Sequence, residues 1–343
     1  MQEGRISEAQ VLQRFGMEDE MIEQKRMEEV YHALQTPFKV GMILEEEGAY
    51  MDCPCVFRTA SGEWGMVYAK YEERKNGYET WYAVSRDLLN WKEEKNLLAM
   101  SGKGWDAYQC AGGMALIDPE WEGTHRVTSF QGKYWMSYIG GQLQGYEPDP
   151  LSIGMAYSRE PEMQNWERLP EPILMPMDPQ ARKFEKATLY KSTVIEDKQG
   201  LTGYRFVMFY NAKQEGMWVE RIGMAGSNDM ICWSRIRDAP VIDNGIDQEF
   251  NISGDPQLLR YDDLWVMNYF VCREGKAFDT FACSKDLFHW TKWNGEPLIE
   301  AGEDYDKTYA HKPWILMENG RVYHFYCAVS GNRRGLALAV SRP

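Results

Sequence analysis

No run of about eighteen consecutive apolar residues occurs in this 343-residue chain, so no segment suits a membrane-spanning helix. The first residues, Met1-Gln-Glu-Gly-Arg5, lack the apolar stretch of a secretory signal, and a cytoplasmic location is the expectation. Cysteine is scarce and badly spaced for metal. The seven thiols are an odd number with no paired CxxC, and Cys53 and Cys55 stand too close for the usual chelate. Cys110, Cys232, Cys272, Cys283 and Cys327 fall mostly in apolar runs, as reduced core residues do. A basic cluster is also missing: 38 Lys and Arg against 52 Asp and Glu leave a formal charge of −14. Nucleic acid and anionic membrane both demand a basic face, and neither is expected as a partner. The acidic surface reads as one that keeps soluble molecules apart.

Aromatic and apolar residues are plentiful, with 13 Trp, 20 Tyr and 44% hydrophobic residues, enough to bury one large core. They follow a repeated order. A [Met/His]-x-Tyr element occurs as Met66-Val-Tyr68, Met136-Ser-Tyr138, Met208-Phe-Tyr210, Met267-Asn-Tyr269 and His324-Phe-Tyr326. An Ala-x-Ser element follows each, at Ala83, Ala156, Ala225, Ala282 and Ala339. Trp91, Trp166, Trp233 and Trp290 close the first four copies, with Asp87, Asp229 and Asp286 shortly before three of them. Motifs recurring every 55 to 75 residues or roughly so mark a repeat architecture. The unit is all strand: each copy has an upstream apolar run, the Met-x-Tyr run, the Ala-x-Ser run and the segment around Trp. Four strands in each of five units predict an all-β fold, a five-bladed β-propeller.

Residues 1–36 are set apart as a short N-terminal helical arm and 37–343 as the propeller. Ser7-Glu8 resembles a helix cap, and Val11, Leu12, Phe15, Met21, Ile22, Met27, Val30 and Tyr31 fall near helical spacing. Packing on its own propeller is the favoured place for the arm; a second subunit, and so a homodimer through these helices, is the other. The fifth copy ends without a last strand, and residues 38–44 are expected to supply it, leaving no open edge. Blade two carries two insertions, Asp118 to Phe130 and Gly140 to Pro150, which as long loops on a rigid scaffold are candidates for recognition.

The first strand of each propeller blade lines the central channel, so the entries to those strands converge. They read Asp52-Cys-Pro54, Gly112-Gly-Met114, Tyr190-Lys-Ser192, Gly254-Asp-Pro256 and His311-Lys-Pro313. Aligned on proline, Asp52 matches Tyr190 and His311, and Asp255 matches Lys191 and Lys312. Strict alternation sends the two sets to opposite faces, whereas a bulge at the proline lets both face the funnel. Asp106, Glu185 and Asp306 lie just before three entries. So many charges where apolar strands begin point to a water-filled site, because burying charge without partners is costly. The competing reading is that Asp52 and Asp255 cap turns, Lys191 and Lys312 pair with them, and nothing reacts. Two carboxylates across a funnel suit glycoside cleavage, one ionised and one held protonated. Trp105, Tyr108, Tyr309 and Trp314 are the candidate sugar-stacking aromatics.

With Ala-x-Ser-x-Asp-x-x-x-Trp intact at Ala83 to Trp91, Ala225 to Trp233 and Ala282 to Trp290, and with aspartates at strand entries, the chain resembles the five-bladed propeller glycosidases of families 43, 32, 130 and 117. The likeness covers roughly residues 38–343. It implies a glycoside hydrolase acting on a small or exo-terminal glycan, by inversion, with an oligosaccharide as partner and no cofactor; a structural calcium is not specified by the sequence. Those families place an acid on the first strand of blade one, which Asp52 matches as base or nucleophile, with Asp255 or Glu185 as counterparts for the proton donor. Tyr190, Lys191, His311, Lys312, Asp106 and the aromatics above are the candidate substrate contacts. Cys53 stands where families 43 and 32 place proline directly after the aspartate, and the fructosidase signatures are missing. The family 117 likeness of the arm implies subunit exchange. Two alternatives stand beside hydrolysis: phosphorolysis, with Lys191, His311, Lys312 and Arg333-Arg334 on phosphate, and a carbohydrate-binding propeller without activity.

Overall fold

The computed structural model describes residues 21–243 and 250–343. The earlier part of the expected arm, with Val11, Leu12 and Phe15, lies outside the described residues. Five antiparallel four-stranded sheets follow one another. Blade one comprises Ala49–Arg58, Trp64–Glu72, Gly77–Ser85 and Trp91–Leu98. Blade two comprises Gln109–Met114, Tyr134–Gly141, Ser152–Ser158 and Glu167–Arg168. Blade three comprises Thr188–Glu196, Phe206–Lys213, Trp218–Ser227 and Ser234–Arg235. Blade four comprises Phe250–Tyr261, Leu264–Arg273, Lys276–Ser284 and Thr291–Lys292. In blade five, Tyr309–Glu318, Arg321–Ser330 and Arg333–Val340 are joined by Phe38–Leu44, which pairs from Phe38 opposite Val340 to Leu44 opposite Leu336. Residues 38–44 thus clasp the start of the described propeller to its last strand.

The repeated residues have a packing reason. Met66, Met136, Met208, Met267 and His324 lie directly opposite Ala83, Ala156, Ala225, Ala282 and Ala339 on the neighbouring strand. All ten are fully buried. A large side chain facing a methyl group leaves room for the next blade, and the core clusters do run between blades. The Ser-x-Asp-x-x-x-Trp motif locks the turn after the third strand. Ser85 Oγ accepts the N–H of Leu88 at 3.0 Å, Asp87 Oδ1 accepts those of Leu89 and Asn90 at 2.9 and 2.8 Å, and Trp91 Nε1 donates to the Leu88 carbonyl at 3.0 Å. Leu88 is held at φ 65°, as are Met230 at 67° and Leu287 at 70° in the corresponding turns. The motif belongs to the scaffold.

The helix Gln24–Leu34 buries Met27, Val30 and Leu34, spaced for one face, and ends before Pro37. Its apolar face packs with Trp121, Leu259, Phe281, Ile315 and Val322, and Tyr31 stacks on Trp293 at 4.7 Å. The described part of the arm therefore sits on its own propeller. The insertion from Asp118 to Phe130 reaches the same end of the channel: Arg260 N–H donates to the Pro119 carbonyl at 2.7 Å, and His125 Nε2 bonds the Met317 carbonyl at 2.7 Å. This loop, expected as a recognition element, closes the tail ends of the inner strands. No helix among the described residues is long and apolar enough to cross a membrane.

Candidate active site

The inner strands begin at the opposite end, and four of the five carry a register break there, between Asp52 and Cys55, Leu189 and Ser192, Gly254 and Gln257, and His311 and Trp314. Cys53, Asp255 and Lys312 adopt φ of 52°, 52° and 65° immediately before Pro54, Pro256 and Pro313. Proline donates no ladder hydrogen bond and disfavours the right-handed region for the residue before it, so the strand bulges at that step. Alternation fails, and neighbours of opposite parity turn to the same funnel. His311 and Lys312 both line one cavity of about 1050 Å³, counted out to its open mouth.

Charge in this cavity is organised around Asp52, which is completely buried. Its Oδ2 accepts Arg334 Nη2 at 2.5 Å and Lys312 Nζ at 2.9 Å, and its Oδ1 accepts the Cys53 N–H at 3.1 Å. Burial alone would raise this carboxyl, but Arg334 and then Lys312 outweigh it and hold the group ionised, well below the usual carboxylate range. Lys312 also lies 3.9 Å from Glu147 Oε1. His311 donates from Nδ1 to the Cys327 carbonyl at 3.1 Å, since a carbonyl only accepts. Burial, with Arg334 and Lys312 beside it, pushes His311 down to about 3, so the ring is neutral and Nε2 is an acceptor. The Cys53 thiol, raised by burial and then by Asp255, donates to Asp255 Oδ2 at 3.0 Å.

Two further carboxylates line the cavity. Glu147 arrives on the second blade-two insertion, beside Tyr146; burial raises its carboxyl while Lys312 opposes the rise. Glu220 lies on the third strand of blade three, with Asn211 Nδ2 donating to Oε2 and Trp218 Nε1 to Oε1, both at 2.9 Å. Burial pushes Glu220 up to about 7 against the pull of those two donors. The start of its strand is carried to the cavity by a parallel pairing across the blade boundary, Trp218 beside Phe250 and Glu220 beside Ile252.

Among the sequence candidates, Asp255, Tyr190, Lys191, Tyr309, His311 and Lys312 line the cavity, and Asp52 lies directly behind it. Trp105, Asp106, Tyr108, Glu185 and Trp314 are not in its lining. The physical reason is shared by two of them. Asp106 accepts Tyr138 Oη and Arg168 Nη1, each at 3.0 Å, and Glu185 accepts Tyr210 Oη at 2.6 Å and Arg235 Nε at 2.5 Å. Asp306 repeats the arrangement with Tyr326 at 3.0 Å and Lys39 at 2.6 Å. The acid before each of these inner strands ties the motif tyrosine of its own blade to a cation on the outer strand. Trp105 stacks on Tyr138 at 5.4 Å, in space left by Gly140 and Gly154, where a Cβ would come within 2.1 and 2.4 Å of the indole. Trp314 is buried, its Nε1 donating to the Val56 carbonyl at 2.9 Å. Glu147 and Glu220 escape the strand-entry comparison because neither sits at an inner-strand entry. The one sequence signal for Glu220 is a carboxylate inside the apolar strand Trp218–Ser227.

No family model matches the chain. Two solved structures match it nearly end to end. One, a complex of BT0996 with RGII, is 40% identical, with 94% of this chain and 96% of that one covered at a TM-score of 0.90. The other, described as "Glycoside hydrolase", is 39% identical over the same shares at 0.89. A thermostable family-43 glycoside hydrolase, 15% identical at a TM-score of 0.62 over 88% of this chain and 96% of that one, shares the fold. The curated 1,2-beta-oligomannan phosphorylase of Thermoanaerobacter sp. (strain X514) is 29% identical over 143 residues, 39% of this chain and 45% of that enzyme. The match thus spans less than half the length of this curated relative.

Proposed function

The chain belongs to the propeller-fold glycoside hydrolases, and from that premise we propose that it hydrolyses a glycosidic bond in a glycan with Glu220 as proton donor and Glu147 as the facing carboxylate. The observation that carries this assignment is the cavity pair with unlike surroundings. Glu220 accepts hydrogen bonds from two neutral donors and is pushed up to about 7 by burial, so about half of it still carries a proton at neutral pH. Glu147 is raised by burial too, but the Lys312 ammonium 3.9 Å away opposes that rise. Environments that separate two carboxyls in this way divide the roles of acid and base. Glu220 delivers its proton to the leaving oxygen, and Glu147 acts on the opposite side of the sugar ring. Inversion, which the family resemblance implies, makes Glu147 a base on water. Asp52 is completely buried outside the cavity lining and serves to fix Lys312 and Arg334. Tyr190, Tyr309, Lys191 and His311 Nε2 supply stacking surface and polar contacts for hydroxyl groups.

The phosphorylase relative favours a second reading, phosphorolysis. An oxyanion needs several free donors around one point. Here Lys312 and Arg334 share the single charge of Asp52, Lys191 reaches the Pro54 carbonyl at 3.4 Å, Arg333 pairs with Glu45 at 2.7 Å on the surface, and His311 is neutral. Hydrolysis is favoured instead by the likeness to the neighbour described as "Glycoside hydrolase", 39% identical over 94% of this chain.

The test is turnover of a panel of aryl pentosides and hexosides with and without inorganic phosphate, by wild type and Glu220→Gln. An RGII oligosaccharide, suggested by the description of the 40%-identical neighbour, joins the panel. Expected are phosphate-independent release of sugar and activity lost as pH rises through about 7, where Glu220 gives up its proton. Glu220→Gln should lose about 10²- to 10⁴-fold in kcat, the usual share of a general acid. Phosphate-dependent turnover would replace hydrolysis with phosphorolysis; sugar binding without product from any substrate would leave a binding propeller. Proton NMR of the first product anomer separately tests inversion.

A further inference from the structure

We propose that Trp218 is the platform on which a sugar ring of the departing group stacks, placing the leaving-group subsite on the blade three to blade four side of the mouth. This rests on the reading of Glu220 as proton donor. Trp218 and Glu220 are two residues apart on one strand and so face the same way. The indole N–H donates to Glu220 Oε1 at 2.9 Å. A ring tethered to the group that protonates the leaving oxygen is beside the leaving group.

The indole is fixed on its other sides as well. Lys213 Nζ lies over the ring 4.9 Å from its centroid, and Lys213 is itself held by Asp149 at 2.5 Å, two residues from Glu147. Phe250 approaches at 5.7 Å, tilted by 52°. Despite these contacts Trp218 remains 52% exposed and Phe250 39% exposed, and both line the cavity. A large aromatic surface that is immobilised and yet left wet at the mouth of a cavity is an unspent binding face. It presents a π surface matched to the apolar C–H face of a neutral pyranose or furanose. The ties through Lys213 and Asp149 also link this platform to the loop that carries Glu147, so both sides of the cleavage point share one support.

The experiment compares two substrates with the same transferred sugar, a disaccharide and the glycosyl fluoride, whose fluoride leaving group is too small to reach Trp218. In Trp218→Ala, kcat/KM for the disaccharide should fall about three- to tenfold further than for the fluoride, the scale of an aromatic contact. Trp218→Phe, which keeps a ring, should recover most of that ratio. Equal losses on the two substrates in Trp218→Ala would overturn the platform. Glu220→Gln is the control for the premise: its loss should be far larger on the disaccharide than on the fluoride, which leaves with little need of a proton. An equal loss there would overturn the Glu220 assignment instead, whatever Trp218 does.

Discussion

Asp52→Asn separates an anchoring role for this aspartate from a direct one. The substitution keeps the shape and an acceptor for the Cys53 N–H but removes the charge that balances Lys312 and Arg334, whose side chains are only 8% and 16% exposed. Removing one partner of a buried ion pair costs about 3–5 kcal/mol, because the charge left behind is uncompensated. A chain of 343 residues unfolds with an entropy of roughly 0.7 kcal/mol/K, so the expected fall in Tm is about 4–7 °C. Scanning calorimetry reads this directly. The variant should also retain part of its turnover, with the acidic limb of the pH profile displaced to lower pH. The sign follows from the geometry: the Asp52 charge raises the Glu147 carboxyl, and its removal also frees Lys312, 3.9 Å away, to draw nearer Glu147. Both changes favour ionised Glu147. An unchanged Tm with activity abolished would refute this reasoning and make Asp52 a participant in the reaction.

Gly335→Ala should loosen the clasp, since a Cβ there would meet Met42 Cε at 2.4 Å and the Leu44 carbonyl at 2.6 Å. About 1–3 kcal/mol of stability should be lost, with faster amide hydrogen exchange along Arg333–Val340. Trp105→Ala, at an aromatic the sequence offers as a sugar platform, should lower stability by about 3 kcal/mol while KM stays as in wild type, because its ring is packed on Tyr138 and not in the cavity. A raised KM in that variant would restore Trp105 to the substrate site.

The fold was legible because its signals are local and repeated. Met-x-Tyr and Ala-x-Ser are two halves of one cross-strand pair, and Ser-x-Asp-x-x-x-Trp closes its own turn through hydrogen bonds within a few residues. Prolines at three entries marked where a bulge could bring Asp255 and Lys312 inward, and the structure decides for the bulge over strict alternation. Long-range placement was harder to read. The two blade-two insertions look alike as sequence, yet one meets the inner strands' tail ends and the other delivers Tyr146 and Glu147 to the cavity. Glu220 reaches the site only through the pairing of Trp218 with Phe250 across a blade boundary, 32 positions apart, which no motif encodes.

Repetition itself separates scaffold from site in this molecule. Asp106, Glu185 and Asp306 attracted notice because acids recur before inner strands, but a residue type that recurs in three blades answers a need those blades share. In each case that need is the motif tyrosine and an outer-strand cation. A reaction happens once per ring and requires groups that break the repeat. Glu147 lies in an insertion, Glu220 interrupts an apolar strand, and Arg334 stands where the fifth blade's third strand begins, so each breaks the local pattern. The five bulged or glycine-bearing entries prepare the space; the irregular residues around them set its charge. A five-fold scaffold becomes a site with two distinct sides only where its symmetry fails, and that is where the unlike carboxyls Glu147 and Glu220 are found.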